Sequence, residues 1–331
     1  MRNKRFIFSV AGGVAIIVII FVWRSLGGTQ PWIDTVSVAV TTLTFACPII
    51  LGGLGGTFSE RSGVVNIALE GMMLNGAFFG ALISVATGQI WIGVIAAMLA
   101  GLLLSMLHAV LSIYFQVDQI ISGTVINILA IGITSYLNKL LFNSGVIAKN
   151  AGKLPALEFS IGAAKFSVGF LTITAIILVF VAQYVLFNTT WGLRTRAVGE
   201  NPKAADTAGI NVFLMRYRNV YLSGLLAGLG GAYFSLQEVG FFEEGMTVGL
   251  GFIALAAMIF GNWTPLGVLG AALVFAFSRT MDGQIQIWYG DVGWISYITS
   301  GLPYLVTIIV LTGLIGKSRP PAAVGVPYNK Q

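Results

Sequence analysis

Residues 91–115 read Trp91-Ile-Gly-Val-Ile95-Ala-Ala-Met-Leu-Ala100-Gly-Leu-Leu-Leu-Ser105-Met-Leu-His108-Ala-Val-Leu-Ser-Ile-Tyr-Phe115. The stretch holds no Asp, Glu, Lys or Arg, and it exceeds the ~20 residues that an α-helix needs to cross a hydrocarbon core. A helix that is apolar all round has no face to turn to water, so it belongs in a bilayer. Comparable segments fall at 6–23, 36–57, 64–87, 119–142, 168–188, 218–236, 248–261, 265–281 and 301–316. The whole chain agrees. Of 331 residues, 9% are charged and 56% are apolar, against about 25% charged in an ordinary soluble domain. That balance excludes a soluble enzyme, a nucleic-acid-binding protein and a disordered chain. The expected fold class is all-α: a polytopic membrane protein of about ten transmembrane helices, forming one domain over 1–331.

Charge sets the orientation. With the N-terminus in the cytoplasm, the inner segments hold Arg2, Lys4, Arg5, Arg61, Arg194, Arg196, Lys203, Arg216, Arg218, Lys317, Arg319 and Lys330. The outer ones hold Asp34, Glu158, Glu238, Glu243, Glu244, Asp282 and Asp291. The positive-inside rule favours this arrangement, with both termini cytoplasmic. It makes 189–217 a cytoplasmic loop, 143–167 an extracytoplasmic loop and 317–331 a cytoplasmic tail. Segment 6–23 follows three basic residues but precedes no small-x-small cleavage site, so it reads as an uncleaved span. The single cysteine, Cys47, excludes a disulfide within the chain and a Cys-based metal site.

The chain also repeats itself. Gly53-Leu54-Gly55-Gly56 recurs as Gly228-Leu229-Gly230-Gly231, and Ile67-Ala68-Leu69 with Met72 recurs as Ile253-Ala254-Leu255 with Met258. Ile92-Gly93-Val94-Ile95 resembles Leu266-Gly267-Val268-Leu269. Each match links a span to the fifth one after it. Five is odd, so matched spans run in opposite directions, which is the pattern of a 5+5 inverted repeat with a pathway at its interface.

Catalytic motifs are missing: there is no G-x-x-x-x-G-K-[ST], no H-E-x-x-H and no C-x-x-C, so no catalytic or metal residue is assigned and any ATP-driven step needs another subunit. The basic loop is more informative. In Gly199-Glu200-Asn201-Pro202-Lys203-Ala204-Ala205-Asp206-Thr207-Ala208-Gly209, Asn201 is a good N-cap and Pro202 suits the first helical position. Gly209 ends the helix. Ala204, Ala205 and Ala208 are small enough to let a partner approach closely, so the segment is expected to be a docking helix.

Within the apolar segments, Asn66 and Glu70 are four residues apart and share a helix face. Two readings compete for Glu70: a pathway group, or a structural carboxylate bonded to hydroxyls and backbone N–H groups. Its place near the start of its span favours the second. Cys47-Pro48 is expected to break its helix near the middle, as are Pro303 and the glycine-rich start at Gly245, Gly249 and Gly251. Pro48, Asn66, Glu70 and Asn127 are the candidate pathway residues. His108, with no acid in its span, reads as a packing or hydrogen-bonding residue rather than a proton relay, and Trp288, Tyr289, Trp294 and Tyr297 as an interfacial belt rather than a stacking surface for a base or sugar.

Ser62-Gly-Val-Val-Asn-Ile-Ala-Leu-Glu-Gly-Met-Met-Leu74 and Gly199-Glu-Asn-Pro-Lys-Ala-Ala-Asp-Thr-Ala-Gly-Ile210 resemble segments of the permease subunits of bacterial ABC importers for branched-chain amino acids, ribose-type sugars and nucleosides. Phe260-Gly-Asn-Trp-Thr-Pro-Leu-Gly267, Leu302-Pro-Tyr-Leu305 and Pro321-Ala-Ala-Val-Gly-Val-Pro-Tyr328 are similar to the nucleoside branch. The resemblance implies a subunit of the bacterial cytoplasmic membrane with several partners. These are a second permease (a paralogue or a second copy), two ATP-binding subunits and an extracellular substrate-binding lipoprotein. It implies that Gly199, Glu200, Asn201, Pro202, Lys203, Ala204, Ala205 and Gly209 couple the chain to an ATPase. It implies no cofactor in this chain, ATP and Mg being bound by the partner subunits.

Overall fold

The computed structural model describes residues 31–143, 145, 150–161, 164–289, 301 and 319–330. The expected segment 6–23, nearly all of 301–316, and the side chains of Trp288, Tyr289, Trp294, Tyr297 and Pro303 lie outside the described residues. The chain runs through α1 (Pro31–Arg61), α2 (Leu69–Thr87), α3 (Ile90–Ala109), α4 (Gln119–Asn138), α5 (Phe170–Asn188), α6 (Thr190–Glu200), α7 (Pro202–Thr207), α8 (Val212–Ala232), α9 (Leu250–Phe260) and α10 (Pro265–Tyr289). Short π-helical turns extend α3 to Tyr114, α4 to Asn143 and α8 to Val239.

Among the described residues, six helices are long and apolar enough to cross a membrane: α1 to α5 and α10. This bears out a multi-pass membrane protein. Two expected spans differ from the rest. α8 carries Arg216, Arg218 and Asn219 in its first turns. α9 has only 11 residues, which at 1.5 Å per residue gives about 16 Å, half of a ~30 Å hydrocarbon core.

One expectation is narrowed and one needs correction. The described chain is mostly helical, as expected, but not wholly so: a hairpin of β1 (Ala156–Ile161) and β2 (Ala164–Gly169) stands in the loop before α5, with Phe159 opposite Phe166. Leu157, Phe159 and Ile161 alternate with Glu158 and Ser160, the period of a strand, and the Phe159 and Phe166 rings stack at 5.6 Å. Nor does Pro48 break its helix, since α1 is continuous from Pro31 to Arg61 with Pro48 buried inside it. Neighbouring helices make such a proline tolerable in a membrane.

α1 and α8 pack against each other at the centre. α1 also carries α9 and α10, and α8 carries α2 and α3. The repeated glycines allow this. A Cβ on Gly53 would lie 2.7 Å from Val268 of α10, and one on Gly56 2.9 Å from Met258 of α9. On the matching glycines, a Cβ at Gly228 would lie 2.2 Å from the Ala97 carbonyl oxygen of α3, and one at Gly231 2.0 Å from that of Met73 in α2. Backbones held this close gain van der Waals packing where the hydrophobic effect between helices is absent.

Candidate functional site

One end of the bundle carries α7. Asn201 caps it as expected, its Oδ1 accepting the Ala204 N–H at 3.1 Å, and Gly209 leaves the helix with φ +80°. Asn201, Lys203, Ala204, Thr207, Ala208 and Gly209 are exposed. Ala205 is not part of this face. A helix this short is held to the body by one side, and Ala205 is the residue on it, packed with Val198, Val212, Met215 and Tyr328. Gly199 also faces inward, where a Cβ would lie 2.1 Å from the Arg61 carbonyl oxygen. The exposed face is therefore narrower than the eleven-residue segment. It is bordered by a shallow cleft between Asp206, Asn211, Phe213 and Lys330.

Beneath this end, residues 62–68 lead from α1 back into the start of α2. Gly63 (φ +94°) makes the turn. Ser59 Oγ donates to the Val64 carbonyl at 2.7 Å, and Val65 N–H donates to Gln119 Oε1 at 2.7 Å. His108 Nε2 lies 2.8 Å from the Val65 carbonyl oxygen and Nδ1 3.0 Å from Ser122 Oγ. His108 is thus a hydrogen-bonding residue of the core. Asn66 donates to Ser223 of α8 at 2.8 Å and accepts the Ala68 N–H at 3.1 Å.

α2 has no side-chain cap of its own. Asn127 of α4 supplies one, accepting the Gly71 N–H at 2.8 Å and donating to the Ile67 carbonyl at 3.0 Å. α2 in turn caps α9. Glu70 accepts from Thr247 Oγ1 at 2.5 Å, from Gly249 N–H at 2.9 Å and from Gly251 N–H at 2.7 Å. The glycine at 251 is required, because a Cβ there would lie 2.5 Å from Glu70 Cα. α5 starts in the same manner, with Gln237 Oε1 accepting the Leu171 N–H at 2.7 Å. A helix that begins away from water must have its first N–H groups satisfied by protein, and a carboxylate also matches the positive end of the helix dipole.

Asn66, Glu70 and Asn127 are therefore brought together at the start of α2. Their polar atoms are engaged by the chain itself, and all three are buried. Pro48 lies apart from them, facing Gly230 across the α1–α8 contact.

Sequence reasoning missed a second buried carboxylate. Glu60, at the end of α1, accepts from Trp263 Nε1 at 2.6 Å, while Arg61 donates to the Trp263 and Asn262 carbonyls at 2.7 and 3.0 Å. Together they hold the turn between α9 and α10, where Asn262 and Trp263 both have φ +52°. The Glu-Arg pair just before Ser62 was the only available signal.

Residues 38–311 match the family described as "Branched-chain amino acid transport system / permease component". A guanosine ABC transporter permease protein of Bacillus subtilis is 44% identical over 309 residues, covering 87% of this chain and 95% of that protein. A nucleoside ABC transporter permease protein of Lactococcus lactis is 37% identical, covering 90% and 98%. A Haloferax volcanii permease, provisionally named for glucose, is 36% identical, covering 88% and 96%.

Proposed function

The chain belongs to the branched-chain amino acid transport system permease family, and we propose that it is the membrane-spanning subunit of an ATP-binding-cassette importer that carries a nucleoside. The observation that carries the cargo is the 44% identity to a guanosine transporter permease along nearly the whole of both chains. A sugar is the second reading, favoured by the Haloferax relative.

The α7 end is the cytoplasmic face in this reading. Its loops carry Arg194, Arg196, Lys203, Arg218 and Arg319, whereas Glu158, Glu238, Glu243 and Glu244 belong to the opposite end, which supports the assignment through the positive-inside rule. Within Gly199–Gly209, Lys203, Ala204 and Ala208 meet an ATP-binding subunit. Asn201, Pro202 and Gly209 shape the helix, and Gly199 and Ala205 seat it. Glu200 joins it to the C-terminal segment. Two such ATPase subunits hold ATP and Mg. A second permease, paralogue or copy, completes the passage, and an extracellular lipoprotein delivers the cargo.

The reciprocal packing of α1 on α9 and α10, and of α8 on α2 and α3, supports a 5+5 inverted repeat. Asn66, Glu70 and Asn127 then build the wall of the passage by fixing where its helices start, and Pro48 adds to it at the α1–α8 contact.

Uptake of labelled guanosine by cells with and without the chain tests this, with unlabelled guanosine and glucose as competitors. Import that unlabelled guanosine suppresses and glucose does not is the expected result, and cells in which the chain adds no guanosine import but does add import of labelled glucose would overturn the cargo. Ala204→Glu sets a bulky charge on the exposed face and should abolish import with the amount of membrane protein unchanged. Unimpaired import would overturn the docking role.

A further inference from the structure

The segment 319–330 folds back across the α7 end and bonds to each turn described there. Arg319 N–H donates to Asn262 Oδ1 in the α9–α10 turn at 3.2 Å. Ala323 N–H donates to the Gly199 carbonyl at the end of α6 at 2.9 Å, and Gly325 N–H to the Gly63 carbonyl in the α1–α2 turn at 3.1 Å. Gln116, between α3 and α4, donates to Asn329 Oδ1 at 2.5 Å. Arg216, 1% exposed, donates to the Val326 carbonyl at 3.1 Å.

The segment then places Tyr328 under α7. The ring is 6% exposed and fills the space between Ala205, Val198, Val212 and Met215. It lies 5.5 Å from the Phe213 ring, and the Tyr328 side chain hydrogen-bonds that of Asp206 on α7. Burial and the Asp206 carboxylate push the Tyr328 hydroxyl above its usual range.

The six residues of α7 make few contacts of their own with the body, since Ala205 offers only a methyl group. Without the Tyr328 ring, that methyl would face a hole. We propose that residues 319–329 form a strap that sets the position of α7, with Tyr328 as its positioning residue, so that movement of α7 is passed to the α1–α2 and α9–α10 turns together. The inference rests on the docking role given to α7 above. It predicts that a chain without the ring still assembles with its ATPase but no longer matches hydrolysis to transport.

The test uses the complete transporter in liposomes, with the nucleoside that the wild type imports, and reads ATP consumed per nucleoside moved. Tyr328→Ala should raise that ratio about fivefold or more, the lower range of a coupling free energy, while the ATPase still co-purifies. Tyr328→Phe keeps the ring and should stay within about twofold of wild type. Tyr328→Ala with an unchanged ratio overturns the strap. So does a ratio raised equally by Tyr328→Phe, because the packed ring would then not be the cause. If Tyr328→Ala proves too unstable to isolate, Tyr328→Leu, which refills the cluster, must restore coupling in part, and full uncoupling overturns the proposal. Failure of the wild type to bind any ATPase would instead refute the docking role of α7.

Discussion

Side chains cap seven of the described helices in two ways. Four that start near the surface are capped by their own flanking residue: Asp118 for α4, Thr189 for α6, Asn201 for α7 and Asn211 for α8. Three that start against neighbouring helices are capped by a side chain from another helix: Asn127 for α2, Glu70 for α9 and Gln237 for α5. A local cap in water replaces solvent that would otherwise serve, so it refines a helix that forms anyway. A remote cap in the membrane replaces nothing, because no solvent is there. It also joins two helices, so tertiary structure depends on it. The same chemistry is a local adjustment at one end of the molecule and part of the framework at its centre.

The contrast breaks most sharply at Glu70. Glu70→Ala leaves two amides and a hydroxyl without their acceptor, and should cost about 3–6 kcal/mol. It should deplete the protein from membranes and lower its melting temperature in lipid nanodiscs. Normal yield and melting would show that α9 is supported elsewhere. Gln237→Ala orphans one amide at the start of α5 and should cost about 2 kcal/mol, read as a lower midpoint in the same melt. Asn201→Ala sharpens the comparison from the other side. The loss should be about 1 kcal/mol, confined to α7 and reversed by Asn201→Asp. Hydrogen exchange over 201–209 should rise while the melt of the bundle stays put. A shift of the whole melt would mean that local and remote caps are not distinct.

The two kinds of cap also differ in how they can be read. Asn201, Pro202 and Gly209 lie within nine residues, and together they specify α7 without any tertiary information. Glu70 lies 177 residues from Thr247 and 181 from Gly251, so no local pattern ties the carboxylate to its donors. What could be read was that such a buried acid needs hydroxyls and N–H groups, and those are the groups it has. The inward turn of Ala205 was illegible for another reason. Six residues give too little helical periodicity to tell a buried side from an exposed one. The glycine repeat was legible because backbone contact leaves a trace in composition, and its two copies do pack on opposite partners. The hairpin was hidden by position, its alternation lying in a stretch read as a connection.

The distance between Glu70 and its donors has a consequence for how the protein is made. A ribosome adding about 5–20 residues per second needs roughly 10–35 s to travel the 179 residues from Glu70 to Gly249. During that time the carboxylate has no amide from α9 to accept. An acceptor held in hydrocarbon without its donors is costly, which favours a position near the headgroups until they arrive. The start of α2 is then predicted to reach its final depth only when the later segment is inserted, which crosslinking of arrested chains of increasing length would check. The early half of the chain waits for the late half, and an insertion defect at 245–251 should show itself first as a misplaced α2.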